Sequence, residues 1–517
     1  MMDGMTVRRA GFWSLLFSSR EEADKPRRSG IPSCFKDLCL DQVLSVPIEE
    51  SEKHGLSGVY TTPLPDRGCI RYRQEVLRSL RDGPTRDCCR SFSMDMHAVG
   101  EESKAIRTAV RQNGWDERLR GRLLSCVENY ITVIDVMSGR VGRVKLESKG
   151  LSDFASYLES YRSSPFVREM VRDVDELRCA FDSVRYCMLV KGNTIKVRKY
   201  AMEKNLSWQI QRAFEPFRGE EAMESSGKLE EDPYDEHTEA SILSLVARLF
   251  PEPFDALHRF SETYASFPDK TLLRFGDELV FYLSWLAVEA PLRSAGLPFC
   301  FPSLPASSSP LSAHGIYDIA LAEEKLKGTV TNDFFLNADD RIIIVTGPNQ
   351  GGKTTFARAF GQLHYLASLG LSVPGTDGDL LLSDKVLTHF EKEEKADSGQ
   401  LKADLERLSC MLSEATESSV VIINEIFSST TEYDATILGK KMLAALKAKG
   451  SLALVVTFLE NLAKEPGTVS MVGLMYPGET EKRTYKIVRK AADGLSFAQA
   501  LAEKHGLTEK MLEERLP

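Results

Sequence analysis

The sequence has no long hydrophobic run. No stretch approaches the roughly 20 apolar residues that a membrane-spanning helix needs, so an integral helical membrane protein is excluded and no membrane partner is expected. Cysteine is sparse and without pattern: ten in 517 residues, from Cys34 to Cys410, with no C-x-x-C pair and none at zinc-ligand spacing from a histidine. Scattered like this in a long chain, they read as reduced core residues. Positive charge is also in deficit, with 66 Lys and Arg against 75 Asp and Glu. That balance excludes a small basic domain built only to hold DNA. The deficit is local, however. Residues 219–239 hold nine acids and one base, so this segment carries −8 of the chain's −9. With Ser225-Ser226-Gly227 and Asp232-Pro233 it reads as a solvated loop or insertion that repels phosphates. What remains is ordinary: 42% apolar and 27% charged residues, the composition of a soluble globular chain of about three domains.

The start carries Arg8-Arg9 and a short apolar run, Ala10–Phe17, followed at once by Arg20-Glu21-Glu22. The run is at the short limit for an export signal and no small-residue cleavage site follows it. We read it as a docked amphipathic segment within an N-terminal stretch, 1–40, and expect a cytoplasmic protein. Residues 41–295 show mainly helical periodicity, over Asp66–Arg81, Leu123–Val136, Leu151–Tyr161 and Phe275–Val288. Long helices with few strands suggest a core and lever region. Phe260-Ser-Glu262 falls in a helical run and reads as core. One interruption, Tyr186–Val190, Gly192-Asn193 and Ile195–Val197, predicts a β-hairpin near 185–199. Arg185, Lys191, Lys196, Arg198 and Lys199 make it basic. It is either a solvated ribbon with a Lys- and Arg-protected edge or a ribbon that contacts phosphates.

Residues 296–315 contain Pro298, Pro302, Pro305 and Pro310 around Ser307-Ser308-Ser309, which predicts a semi-stiff linker rather than helix or strand. From 316 to 517 the pattern becomes α/β, with strands predicted at Ile342–Thr346, Val420–Ile423, Leu452–Thr457, Met471–Met475 and Tyr485–Val488. The expected fold is therefore mixed: a mainly α-helical region followed by an α/β P-loop domain.

Gly347-Pro348-Asn349-Gln350-Gly351-Gly352-Lys353-Thr354 fits G-x-x-x-x-G-K-[ST] between a strand and a helix that begins at Thr355. Glycines let backbone N–H groups wrap phosphates without a Cβ in the way, and the helix N-terminus adds partial positive charge. Lys353 is placed to reach the β- and γ-phosphates of ATP, and the Thr354 hydroxyl to hold Mg²⁺. Val420–Ile423 leads into Asn424-Glu425. Glu425 stands where a general base or water-orienting group is needed. Asn424 takes the place of a magnesium-directing Asp and offers only a neutral carbonyl.

These stretches resemble the MutS-type mismatch-repair ATPases. Thr346–Thr354 is similar to their T-G-P-N-M-G-G-K-S. Val330–Asp333, Leu369–Pro374 and Asn424–Asp434 follow in the family's order, the last resembling D-E-I-G-R-G-T-S-T-Y-D. Ala492–Ala502 and His505–Thr508 resemble its C-terminal helical dimerisation element. The likeness covers about 316–517, which it implies is an ABC-type ATPase domain. Before that it rests on Asp37–Gln42 and Tyr72–Val76, and we find no G-x-F-Y-E signature of a mismatch-reading N-terminal domain. Asp397-Ser398-Gly399-Gln400 sits where the family presents a signature to the partner subunit's ATP, but Leu401-Lys402 replaces Ser-Thr there. Thr457-Phe458 stands where the family has Thr-His.

The resemblance implies a homodimer that sandwiches ATP and Mg²⁺, with Ser398 and Gly399 reaching across, and helices that grip DNA in an ATP-dependent way. With Asn424 and Phe458 it implies slow hydrolysis without mismatch reading, in DNA repair or recombination. The alternative is an ATP-gated protein-binding module with negligible catalysis. A small-molecule kinase is set aside, because no lid or substrate site is visible.

Overall fold

A computed structural model of the chain describes residues 12–27, 30–143, 146–191, 194–201, 233–306, 308–390, 400–425, 427, 430–476 and 479–492. In chain order, the helices of fourteen or more residues and the strands are α1 (Arg67–Leu80), α2 (Gly83–Asn113), α3 (Glu117–Val141), α4 (Lys149–Arg162), α5 (Pro165–Asp182), β1 (Tyr186–Lys191), β2 (Thr194–Lys199), α6 (Pro233–Leu249), α7 (Pro251–Tyr264), α8 (Lys270–Ser294), β3 (Phe299–Cys300), β4 (Leu311–Ile316), β5 (Asn332–Leu336), β6 (Ile342–Thr346), α9 (Lys353–Ser368), β7 (Val373–Pro374), β8 (Asp377–Asp379), β9 (Val386–Phe390), α10 (Gln400–Glu414), β10 (Val420–Asn424), α11 (Glu432–Lys449), β11 (Leu452–Val456), β12 (Thr468–Tyr476) and β13 (Glu479–Arg489). The four predicted helical stretches fall in α1, α3, α4 and α8. Two compact units form, one from Met1–Phe12, Ser91–Val144 and Asp153–Gly276, the other from Trp13–Arg90, Lys145–Ser152 and Asp277–Pro517. No helix of the described residues is long and apolar enough to cross a membrane.

The first unit is helical because its apolar residues recur every three or four positions. Leu119, Leu123, Leu124, Val127, Tyr130 and Ile134 are buried along α3, and Val167, Met170, Val174 and Leu177 along α5. Asp116 and Ser164 cap these helices by accepting hydrogen bonds from the Leu119 and Val167 N–H groups, and Pro165 fits the first helical turn. Phe260 is buried in α7, as a core residue should be. Strands β1 and β2 pair antiparallel with Lys191 opposite Thr194, a two-residue hairpin connection. Its Gly192-Asn193 turn lies outside the described residues. So does the acidic stretch as far as Asp232. From Pro233 that stretch is helix, not loop, because Pro is favoured in the first helical turn and α6 starts on it.

The second unit begins with the segment Trp13–Phe17, docked as expected: Leu15, Leu16 and Phe17 are buried, and polar contacts fix the backbone as well. The buried Glu278 carboxylate accepts from the Ser14 hydroxyl at 2.9 Å and the Leu15 N–H at 2.5 Å. The Tyr72 and Tyr282 hydroxyls donate to the carbonyls of Ser14 and Leu15, and Arg73 Nε donates to that of Leu16. Arg73 also donates to the Leu369 carbonyl just past α9, at 2.9 Å.

The main sheet has the order β13-β12-β6-β11-β10-β9. Its strands are parallel except for the edge strand β13. Every residue of β6, β10 and β11 is buried, which is why these strands read as unbroken Ile/Val/Leu runs rather than alternating ones. The fold is thus helical in one part and mixed α/β in the other. The predicted linker 296–315 is not one. It contributes β3, paired with β7, and β4, which pairs with β5 and β8. Pro298, Pro302, Pro305 and Pro310 all fall outside these two short strands, where a missing N–H interrupts no ladder.

Candidate nucleotide-binding site

Three parallel strands deliver their C-terminal ends to the same edge of the sheet, where open α/β sheets bind ligands. From β6 the chain enters the loop Gly347–Gly352 and then α9. From β10 it passes Asn424 to Glu425, and from β11 it reaches Thr457 and Phe458. The loop geometry depends on its glycines. Gly347 has φ +126°, and a Cβ there would lie 2.9 Å from the Gly473 backbone nitrogen. Gly352, at φ +91°, is the N-cap of α9. Gln350 and Glu425 also have positive φ, at 56° and 55°, and such left-handed non-glycine residues cluster at functional sites. Gly347→Ala should therefore destabilise the protein by about 1–3 kcal/mol and weaken nucleotide binding. Thermal denaturation with and without ATP checks this, and an unchanged melting temperature would show that the loop tolerates a Cβ.

Lys353 is 4% exposed in its side chain. Its ammonium donates to the carbonyls of Gly347 and Pro348 at 3.0 and 3.1 Å. It lies 3.9 Å from Glu425 Oε1 and 4.7 Å from the centre of the Phe458 ring. Burial lowers its pKa, and the nearby Glu425 carboxylate opposes that shift. Glu425 is 29% exposed in its side chain, so water reaches it. The Thr354 hydroxyl donates to Asn424 Oδ1 at 3.1 Å, joining the two candidate magnesium ligands. Both offer neutral oxygens, a set that suits Mg²⁺ bound chiefly by phosphate and water. Phe458 is half exposed and has no hydrogen-bond donor to offer a phosphate.

A cleft of about 500 Å³ opens over this edge. Gln350, Gly351, Gly352, Lys353, Thr354, Thr355 and Glu425 line it, while Gly347 and Pro348 stand behind Lys353. Asn349 lies away from the cleft, its carbonyl accepting from Arg483 Nε at 3.2 Å. Asn424 meets the cleft only through Thr354. Ser398 and Gly399 lie outside the described residues, as does the C-terminal element past Ala492. Further lining residues went unassigned in the sequence: Lys325, Lys327, Thr329, Asn332 and Tyr485. Asn332 belongs to the Val330–Asp333 stretch, which was a signal. Tyr485 gave none. It sits in the interior of β13 but at φ 58°, where the register with β12 shifts and a bulge turns its ring outward. That ring is 51% exposed beside Gly352, an apolar face suited to a flat ring.

The basic residues of the hairpin are not all on one face. Arg185, Lys196, Arg198 and Lys199 are exposed, but the Lys199 ammonium lies 5.1 Å from the Phe250 ring. The Lys191 side chain is outside the described part.

Comparison with known proteins gives the following. The family MutS domain V matches residues 343–514. The chain is 31% identical over 194 residues to the endonuclease MutS2 of Gemmatimonas aurantiaca, covering 36% of this chain and 24% of that protein. It is 31% identical over 188 residues to the endonuclease MutS2 of Thermus thermophilus, covering 35% and 25%. It is 30% identical over 208 residues to the DNA mismatch repair protein MutS of Syntrophomonas wolfei, covering 38% and 24%. The match spans about a quarter of the length of each of these relatives.

Proposed function

The chain is a member of the MutS-like family, and from that premise we propose that it is an ATP-binding, slowly hydrolysing ATPase that acts as an ATP-gated, DNA-associated clamp in DNA repair or recombination. One observation carries this reading: Lys353, Thr354 and Glu425 line one cleft at the C-terminal edge of a parallel sheet, and Asn424, 70 residues from Thr354 in sequence, is hydrogen-bonded to the Thr354 hydroxyl there. The loop and the α9 N-terminus would hold the phosphates, with Lys353 leaving the carbonyls of Gly347 and Pro348 for phosphate oxygens. The Tyr485 ring would lie along the base. Mg²⁺, held by Thr354 and Asn424, would neutralise phosphate charge when bound. Glu425 would orient or deprotonate the attacking water.

Slow turnover follows from chemistry at two positions. Asn424 brings no negative charge to the metal, and Phe458 offers nothing to charge developing on the γ-phosphate. The same two residues favour the second reading, an ATP-gated protein-binding module with negligible catalysis. In either case two copies would pair through the domain at 316–517, each presenting Ser398 and Gly399 to the other's nucleotide. ATP titration and steady-state hydrolysis, with and without DNA, separate the two. DNA-stimulated turnover supports the clamp, and tight ATP binding with no turnover on any DNA supports the module.

A further inference from the structure

A second groove lies wholly within the second unit, between α1 and the segment 299–305. The segment runs antiparallel to the helix. Arg81 Nη1 donates to the Phe299 carbonyl at 3.4 Å, Gln74 Nε2 to that of Pro302 at 3.2 Å, and Arg67 Nη2 to that of Pro305 at 3.0 Å. The Arg78 and Arg81 guanidinium groups lie over the Phe301 ring, 4.6 and 4.3 Å from its centre. Among these contacts a trough of about 280 Å³ stays open. Arg67, Arg71, Gln74 and Arg78 recur at helical spacing and so share one face of α1, and all of them line the trough. Gln74 is buried, whereas the three arginines are exposed. None of the three forms an ion pair with a described residue, and Arg71 has no partner among them. On α3, α4 and α5, by contrast, the exposed Arg122, Arg162, Arg172 and Arg178 each pair with a carboxylate. Glu75, half-buried, is the one acid that lines the trough, and Asp379 accepts from the Ser303 hydroxyl of the facing segment.

We propose that this trough holds a stretch of nucleic-acid backbone, with phosphates of one strand on Arg67, Arg71 and Arg78. The proposal rests on the DNA-associated reading above and adds a contact made by the same compact unit that carries the nucleotide cleft. The charge is laid out along a line. Arg67 and Arg71 are about 6 Å apart along the helix axis, and Arg71 and Arg78 about 10 Å, which fits a linear polyanion and not one compact anion. The trough is also smaller than the roughly 300–1,000 Å³ of a small-molecule pocket, and it is drawn out over that length. Its one aromatic side chain, Phe301, is already taken up by Arg78 and Arg81. That leaves no aromatic anchor for a peptide, and protein interfaces draw most of their affinity from such anchors. Backbone phosphates need charge alone. Arginine supplies it in a form that matches phosphate oxygens, because its planar fork of N–H donors can stack on a ring and still point donors outward. Arg67 likewise keeps donors beyond the one given to Pro305.

The test is fluorescence anisotropy on the full chain with labelled duplexes of two unrelated sequences, over a range of salt, with an ATP titration beside it. Arg71→Ala should weaken binding of both sequences equally and flatten the slope of log affinity against log salt by about 0.9. Arg71→Ala with Arg78→Ala should flatten it by about 1.8, at about 0.9 for each phosphate contact. ATP affinity should not change in either variant. Arg122→Ala, at an arginine already paired with Glu102, should leave the slope as it is. An unchanged slope in both α1 variants, or equal flattening in Arg122→Ala, overturns this inference and leaves the clamp reading standing. So does binding of a labelled oligoglutamate peptide that is lost in Arg71→Ala while DNA binding is not, since the trough is then a protein site. Failure of the wild-type chain to bind DNA, with ATP binding intact, overturns both.

Discussion

Replacing Lys353 with alanine is expected to abolish ATP binding at micromolar nucleotide, a loss of roughly 100-fold or more. A charge-assisted hydrogen bond contributes about 1.5–3 kcal/mol, and this ammonium is placed to make more than one. It already forms two good hydrogen bonds, to the carbonyls of Gly347 and Pro348, so its charge is held at the mouth of the loop before any phosphate arrives. The fold should survive the change. Alanine is at home in the first turn of α9, and Glu425, the nearby carboxylate, keeps enough exposure to be solvated when its partner is gone. The check is calorimetric titration of ATP with a melting curve beside it. Unchanged ATP affinity in Lys353→Ala would mean that the loop is not the phosphate site.

The second large effect is expected at Glu425. Glu425→Gln should leave ATP affinity within about twofold and lower turnover by about 10²–10⁴, the usual contribution of a positioned general base. The ordering matters: Lys353→Ala removes binding, whereas Glu425→Gln retains bound ATP and removes its consumption. Gln is chosen because it keeps size and hydrogen bonding at a residue with φ 55°, so a backbone effect is not mistaken for a chemical one. Single-turnover measurement of the hydrolysis of bound ATP reads this directly. If Glu425→Gln hydrolyses at the wild-type rate, the water is activated by some other group, or not by the protein at all.

Much of this site was legible in the sequence because the phosphate loop is local. Glycine positions, a strand before and a helix after are contained within residues 342–368, and the Ile/Val runs of β6 and β10 betray strands buried on both faces. The pairing of Thr354 with Asn424 was legible only as an expectation, since it needs a parallel sheet to bring together residues 70 apart. Other features lay beyond sequence reasoning for definite reasons. The prolines of 296–315 suggested a linker, but two short strands fit between them, and pairing with β5, β7 and β8 is a property of distant partners. Tyr485 reads as an ordinary strand residue until a bulge turns it into the cleft. The five basic residues of the hairpin read as one patch, whereas β-alternation puts Lys199 on the face opposite Arg198. The start of α6 at Pro233 was masked by acidity, which argues for solvation and not against helix.

The central claim is that ATP changes the grip of the chain on DNA. The direct measurement is the affinity of the full chain for DNA with and without ATP and Mg²⁺, made in parallel on wild type and Lys353→Ala. A nucleotide that favours one of two states shifts DNA affinity by its differential affinity for them, typically 1–3 kcal/mol or about 5- to 150-fold. A change of that size in the wild-type chain, absent in Lys353→Ala, is the expected result. Equal DNA affinity with and without ATP, in a chain that demonstrably binds ATP, would contradict the clamp.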